Sequence, residues 1–263
     1  MERLNGKVAV VTGASLGVGK GVVLGLAEAG ATVYATARSI TDESFEGDER
    51  IIPVRCDHTD DTQVEAAFRR VMSESGRLDV LVNSVWGGYE RMVEDGQFTW
   101  PLPFWEQPIW RWDAMFSAGV RAAYVASQHA ARVMVAQKSG LIVNISFWAA
   151  QKHVGNVAYG VSKAATDKMT ADMAEELRPH NVAVVSLYPG LVRTEKVMEA
   201  EAFLDLSNSE SPQFIGRAVA GLASDPEVMQ KTGRVVVAAD LAHEYGFTDV
   251  DGKQPQPLTL KDI

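Results

Sequence analysis

The sequence predicts an α/β fold: one doubly wound sheet of about seven parallel strands, covered by helices on both faces. Two observations predict it. Short β-branched runs that read as buried strands alternate with Ala-rich helical stretches, the signature of repeated βαβ units. The first strand runs into a helix through a glycine-rich turn, the junction at which such sheets bind nucleotides.

The elements follow in order. Residues 7–12 (Lys-Val-Ala-Val-Val-Thr) form a short apolar run that reads as a buried parallel strand. The turn Gly13-Ala14-Ser15-Leu16-Gly17-Val18-Gly19 leads into a helix over 20–29 that stops at Gly30. Strand, turn and helix make a phosphate cradle, because glycine lets the backbone approach a pyrophosphate whose charge sits on the helix N-terminus. Residues 31–37 are the second strand. An NAD site usually places an acid after it to bind the ribose 2′-hydroxyl. Here Arg38 stands instead, suited to pairing with a 2′-phosphate, so NADP(H) is favoured over NAD(H). The alternative is an ordinary surface arginine.

Residues 51–55 are a third strand, and Thr59 or Asp60 caps the helix running to about Ser75. Residues 78–82 are a fourth strand, ending at Asn83-Ser84-Val85. Residues 86–108 then break the pattern with Trp86, Phe98, Trp100, Phe104 and Trp105 among three prolines. So many aromatics imply a long ordered loop, inserted at a strand's C-terminal end where open sheets bind ligands. It is an aromatic wall over a substrate, a subunit contact or a structural patch. A long helix over 110–137 precedes the central strand, 141–145. A helix over 157–178 ends at Pro179, and a sixth strand, 182–187, precedes Tyr188-Pro189-Gly190-Leu191-Val192-Arg193-Thr194. Residues 195–211 are polar and irregular and read as a mobile lid. A helix from Pro212 to about Ala223, a seventh strand over 233–238 and a polar tail over 240–263, expected to pack on the surface or on a neighbouring subunit, complete the chain.

Composition narrows the function. The 34 Asp and Glu residues outnumber 25 Lys and Arg, which argues against nucleic acid or anionic membrane as the main partner. The single cysteine, Cys56, excludes an internal disulfide and fits a reducing, cytoplasmic compartment. No Cys and His cluster has zinc spacing, the N-terminal stretch before the first strand is too short for a signal peptide, and no apolar run is long enough to span a bilayer.

Chemistry concentrates between Leu141 and Lys163. Ser146 ends the central strand, and Tyr159-Gly160-Val161-Ser162-Lys163 opens a helix. Residues four apart on a helix share a face, so Lys163 lies under Tyr159. An ammonium beside a phenol favours the phenolate and lowers the tyrosine pKa, fitting Tyr159 for proton exchange with a carbonyl or alcohol. The Ser146 hydroxyl would hold the same oxygen.

Four motifs share an order and spacing that resembles the short-chain dehydrogenase/reductase family: Thr12-Gly13-x-x-x-Gly17-x-Gly19, Asn83 after the fourth strand, Ser146 with Tyr159-x-x-x-Lys163, and Pro189-Gly190-x-x-x-Thr194. The resemblance covers about residues 5–240. It implies a single Rossmann-type domain and hydride transfer between a nicotinamide cofactor and a carbonyl or alcohol. By matching position, Tyr159 would be the general acid/base, Lys163 would tune it and bond the nicotinamide ribose, and Ser146 would hold the substrate. Thr12 to Gly19, Val18 included, would cradle the pyrophosphate, with Ser15 and Leu16 near the adenosine end. Asp57 and His58 would flank the adenine, Asn83 would support the adenosine side, and Pro189, Gly190, Val192 and Thr194 would clasp the nicotinamide. The expected substrate is a fairly apolar ketone, aldehyde or quinone-like compound, with Trp86, Trp105 and Trp148 as its candidate contacts. The family habit also implies a homodimer or homotetramer pairing the helices 110–137 and 157–178.

Three departures stand out. The family's Asn-Asn-Ala-Gly reads Asn83-Ser84-Val85-Trp86, bringing a bulky ring near the cofactor. The basic residue of many NADP members is Leu16. A catalytic Asn that helps anchor a water falls at Gly119, so a water or a backbone carbonyl is expected in its place. These departures leave two other readings: a cofactor-binding sensor or scaffold with little turnover, and an NAD-dependent alcohol dehydrogenase.

Overall fold

In the computed structural model, which describes residues 4–45, 47–199 and 201–263, seven parallel strands form the sheet. Met1–Arg3 of the N-terminal stretch and Ala200 of the expected lid lie outside the described residues. The chain runs β1 (Val8–Thr12), α1 (Gly17–Glu28), β2 (Thr32–Ala37), β3 (Ile51–Arg55), α2 (Asp61–Ser75) and β4 (Val80–Asn83). A two-stranded hairpin follows, β5 (Val93–Glu94) and β6 (Gln97–Phe98), inside the aromatic loop. Then come α3 (Ile109–Ala114), a π-helical turn (Met115–Arg121), α4 (Ala122–Gln137), β7 (Gly140–Ile145), α5 (Val157–Leu177) and β8 (Val182–Tyr188). α6 (Glu195–Met198), α7 (Pro212–Ser224), β9 (Val235–Val237) and α8 (Ala238–Tyr245) finish the order.

The strands lie β3-β2-β1-β4-β7-β8-β9. The order reverses between β1 and β4, and ligands bind beyond the C-terminal strand ends at such a point. There Thr12 pairs with Asn83 in register, and the Thr12 hydroxyl donates to the Val82 carbonyl (3.3 Å) and accepts from Ser84 N–H (3.1 Å). Alternate strand residues face opposite layers. Ala9 and Val11 join Val22, Leu26, Phe214 and Leu241 under α1, α7 and α8. Val8 and Val10 join Val64, Phe68, Met134 and Leu177 under α2, α4 and α5. Both faces are dry, which explains the unbroken apolar strands.

Three elements differ from expectation. α1 begins at Gly17, so two cradle glycines lie within its first turn. The long helix before the central strand carries a π-helical turn, an insertion that proteins keep at functional sites. The tail is not all surface: α8 buries Leu241 and Ala242, and Leu258 and Ile263 pack on a cluster of Trp148, Tyr188 and Val237. Its helical start was hidden because the valines of β9 run into Ala238 without a turn signal. Asp60 rather than Thr59 caps α2, accepting from Thr62 N–H at 2.9 Å and Gln63 N–H at 3.3 Å.

Candidate active site

The cradle closes over the β1–α1 turn. A Cβ at Gly13, where φ is +69°, would stand 2.7 Å from the Ser84 carbonyl oxygen, and one at Gly19 would stand 2.1 Å from the Gly13 oxygen. The N-cap residue of α1, Leu16, offers no side-chain cap, and the first turn holds no acid, so the helix end is suited to an outside anion. One is met from across the site: Gly17 N–H donates to the Glu195 carboxylate at 2.9 Å. That carboxylate stands in for a phosphate oxygen, so the turn fits the pyrophosphate of a dinucleotide. Leu16 is exposed, Ser15 is half-buried, and Val18 turns against the first core layer.

The adenosine end is formed by the ends of β2 and β3. Arg38 is exposed, and its charge, behind two hydrogen bonds from Thr59, helps hold the Asp57 carboxyl below the usual carboxylate range. His58 is buried, with Nε2 2.7 Å from the Thr36 hydroxyl, and burial pulls its pKa down to about 4. The ring is therefore neutral, and its buried Nδ1 has no partner among the described residues. Asn83 points inward: its amide donates to Ser127 (3.0 Å) and Asn144 (2.8 Å), tying β4 to α4 and β7. Its side chain supports the cofactor side only through the sheet.

Tyr159 sits in the first turn of α5 because Asn156 caps that helix, accepting from Tyr159 N–H at 3.1 Å. The Asn156 amide also donates to the Trp100 carbonyl (3.2 Å), so one residue ties the aromatic loop to α5. Lys163 lies one turn on, as helical spacing requires, with Nζ 5.7 Å from the Tyr159 ring centroid. It donates to the Ile145 carbonyl at 3.2 Å and lies 4.1 Å from the Trp86 ring centroid. Ser146 follows Ile145, and its hydroxyl donates to the Lys163 carbonyl at 3.4 Å. All three predicted catalytic side chains are buried together at the C-terminal end of β7.

Their electrostatics differ from expectation. Burial pushes the Tyr159 pKa well up, with the Tyr89 phenol adding to it. Burial likewise pulls Lys163 down to about 8, against the pull of Asp167. The lysine does not make a phenolate here, because desolvation opposes the charged form of both groups. Tyr159 is a neutral phenol, ready to donate.

An aromatic box surrounds that phenol. Ring centroids of Trp86 (5.5 Å), Trp100 (5.6 Å), Phe147 (6.2 Å) and Tyr89 (6.4 Å) lie about it, with Met115 buried in the same cluster. Of the three predicted substrate aromatics, only Trp86 lies in this box. Trp105 is 72% exposed, edge-on to Phe104, and Trp148 packs on Tyr188 in the tail cluster. The space expected for a water or carbonyl beside Gly119 holds the Trp86 ring.

The loop is stapled by a residue that sequence reasoning passed over. Arg111 is fully buried and donates to the carbonyls of Arg91 (3.0 Å) and Thr99 (3.2 Å), the Thr99 hydroxyl (2.7 Å) and the Gln107 side chain. An arginine inside a helix carries no sequence signal of burial. The clasp is likewise built from afar. Gly190 N–H donates to the buried Glu210 carboxylate (2.7 Å), Val192 and Glu210 form a bridge, and Arg193 pairs with Asp249 (3.0 Å). Val192 packs into the core, and Thr194 caps α6, abutting Gly17. The far end of the expected lid is tied to the tail by two Asn208–Gln256 hydrogen bonds.

The family model for short chain dehydrogenases matches residues 7–205. Dehydrogenase/reductase SDR family member 1 from Mus musculus is 41% identical over 95% of this chain and 85% of its own length, and its Homo sapiens counterpart is 40% identical over 99% and 88%. Among solved structures, a 7α-hydroxysteroid dehydrogenase complexed with NADH and 7-oxo glycochenodeoxycholic acid aligns with a TM-score of 0.76 at 25% identity, covering 96% of each chain.

Proposed function

This chain belongs to the short-chain dehydrogenase/reductase family, an oxidoreductase family using nicotinamide cofactors, and on that premise we propose that it is an NADP(H)-dependent reductase of an apolar ketone, aldehyde or quinone. The carrying observation is the neutral Tyr159 phenol, buried with Ser146 and Lys163 at the C-terminal end of β7. Gly13, Gly17 and Gly19 would hold the pyrophosphate, Arg38 a 2′-phosphate, and Asp57 and His58 the adenine edge. Pro189, Gly190 and Thr194 would hold the carboxamide end. A bound nicotinamide would supply the hydride. Tyr159 donates its proton to the substrate oxygen as negative charge develops there, and Ser146 donates a hydrogen bond to the same oxygen. Lys163, with its pKa near 8, carries charge at neutral pH and stabilises the phenolate that the donation leaves. Trp86, Tyr89, Trp100 and Phe147 exclude water, which strengthens each of these interactions and suits an apolar carbonyl. The 7-oxo ligand of the hydroxysteroid dehydrogenase is a carbonyl compound of that kind.

Two features extend the reading. Exposed Tyr124 on α4 and Val161 on α5, with half-buried Phe116 beside Tyr124 on the π-helical turn, support a homodimer or homotetramer that pairs these helices. The lone thiol, Cys56, is buried and pushed up to about 11, an unreactive group that suits a cytoplasmic protein. No helix of the described residues is long and apolar enough to cross a membrane. NADPH absorbance followed against a panel of ketones, aldehydes and quinones tests the proposal. Turnover that Tyr159→Phe abolishes is expected. Turnover that survives it at the wild-type rate overturns the role of Tyr159.

A further inference from the structure

Lys163 is a buried ammonium with three N–H donors, and protein oxygens meet few of them. The Ile145 carbonyl accepts one at 3.2 Å. The nearest other partner is a ring face: Nζ lies 4.1 Å from the Trp86 centroid, closer than the 5.7 Å to Tyr159. An indole face is the strongest aromatic partner of a cation, more so where water is excluded.

The ring is admitted by a missing side chain. A Cβ at Gly119 would stand 3.0 and 3.1 Å from Trp86 Cζ3 and Cε3. Gly119 lies in the π-helical turn, which turns its bare backbone toward the ring. Trp86 is not held by its own polar atom, since Nε1 is buried without a partner among the described residues. It is set by packing, edge-on to Tyr159 at 5.5 Å and tilted on Tyr89 at 5.8 Å. Every contact that fixes the ring therefore fixes its face toward the ammonium.

We propose that Trp86 is a positioning residue, whose indole face holds the Lys163 ammonium beside Tyr159, and that Gly119 is bare so that the ring fits. The two positions form a matched pair: the ring occupies what a side chain at Gly119 would fill. Trp86 then serves the proton chemistry rather than substrate contact alone. This rests on the role proposed above for Lys163.

A lysine ε-methylene over an indole face is shifted upfield by the ring current, and this can be read in the cofactor-free chain. Lysine labelled with ¹³C at Cε would show one ε-methylene shifted further upfield than those of Lys20 and Lys231, whose ring partners lie 5.8 and 5.5 Å away, and that signal is lost in Lys163→Met. The expected result is that Trp86→Leu returns it to the position of the other lysines and Trp86→Phe keeps part of the shift. Gly119→Ala, which adds only a methyl, moves it by displacing the ring. In turnover, Trp86→Leu lowers kcat by roughly ten- to a hundredfold, the loss that a misplaced group brings, with KM little changed, and Trp86→Phe recovers part of it. An upfield signal that persists in Trp86→Leu overturns the proposal, as does unchanged kcat. Tyr159→Phe keeps the signal while abolishing turnover. If the wild type reduces no carbonyl yet the signal tracks Trp86, the reductase reading falls and the placement of the ammonium stands.

Discussion

Glu210→Gln is expected to make the protein more stable at pH 8 and to leave it unchanged near pH 5. Glu210 is only 2% exposed, beneath the turn after β8, where it meets Gly190 and Val192. Burial pushes its pKa from 4.5 up to about 7, with Asp249 adding to the shift and the Gly190 N–H and Arg193 opposing it. Between those values the folded chain holds a proton that the unfolded chain has released, so its contribution to stability falls as pH rises from about 4.5 to 7. At about 1.4 kcal/mol per pK unit, the fall amounts to roughly 3 kcal/mol. Glutamine keeps an oxygen for the Gly190 N–H and carries no charge, so it escapes this loss. Other titrations, such as those of His58 and Lys163, occur in both proteins and cancel in the comparison. For a chain of this size, roughly 3 kcal/mol is about 6–12 °C in melting temperature. Thermal melts at pH 5 and pH 8 read it directly. An equal difference at the two pH values would refute the reasoning, because the effect would then be packing and not charge.

Three other outcomes are expected. Arg38→Ala weakens NADPH binding far more than NADH binding by titration calorimetry, since a 2′-phosphate would lose a charge-assisted partner worth roughly 1.5–3 kcal/mol; equal losses would favour an NAD-dependent alcohol dehydrogenase. Glu195→Ala removes the carboxylate that meets Gly17 N–H, and cofactor should bind about two- to fivefold tighter, the scale of one exposed charge at a helix end. Arg111→Met takes one donor from the Thr99 carbonyl and removes the guanidinium that meets the Arg91 carbonyl, and hydrogen exchange should quicken across residues 86–108 while the sheet is unaffected.

Much of the site was legible because its parts are local. The Gly13-to-Gly19 turn lies between a strand and a helix, and the proximity of Tyr159 and Lys163 follows from one helical turn. Arg38 and Asp57 fall at strand ends that apolar runs announce. The aromatic loop was visible as an ordered insertion, yet its members could not be sorted. Trp86 and Trp100 turn in against Tyr159 while Trp105 turns out, and the deciding residue, Arg111, lies on a later helix. Tyr89 and Phe147 carry no spacing signal and enter the box only through packing.

The chain alone determined the parallel sheet, the glycine turn and the pairing of Tyr159 with Lys163, because periodicity and helical pitch are properties of one backbone segment; Ser146 joined them only through the spacing of the family motifs. Tertiary structure decided that Tyr159 is a neutral phenol, that the Glu210 carboxylate holds the Gly190 N–H, and that the Trp86 ring fills the space beside Gly119 over Lys163. These rest on burial and on contacts between residues far apart in the chain. A desolvation shift depends on how much water the whole fold removes, and a ring face meets an ammonium only where separate elements converge.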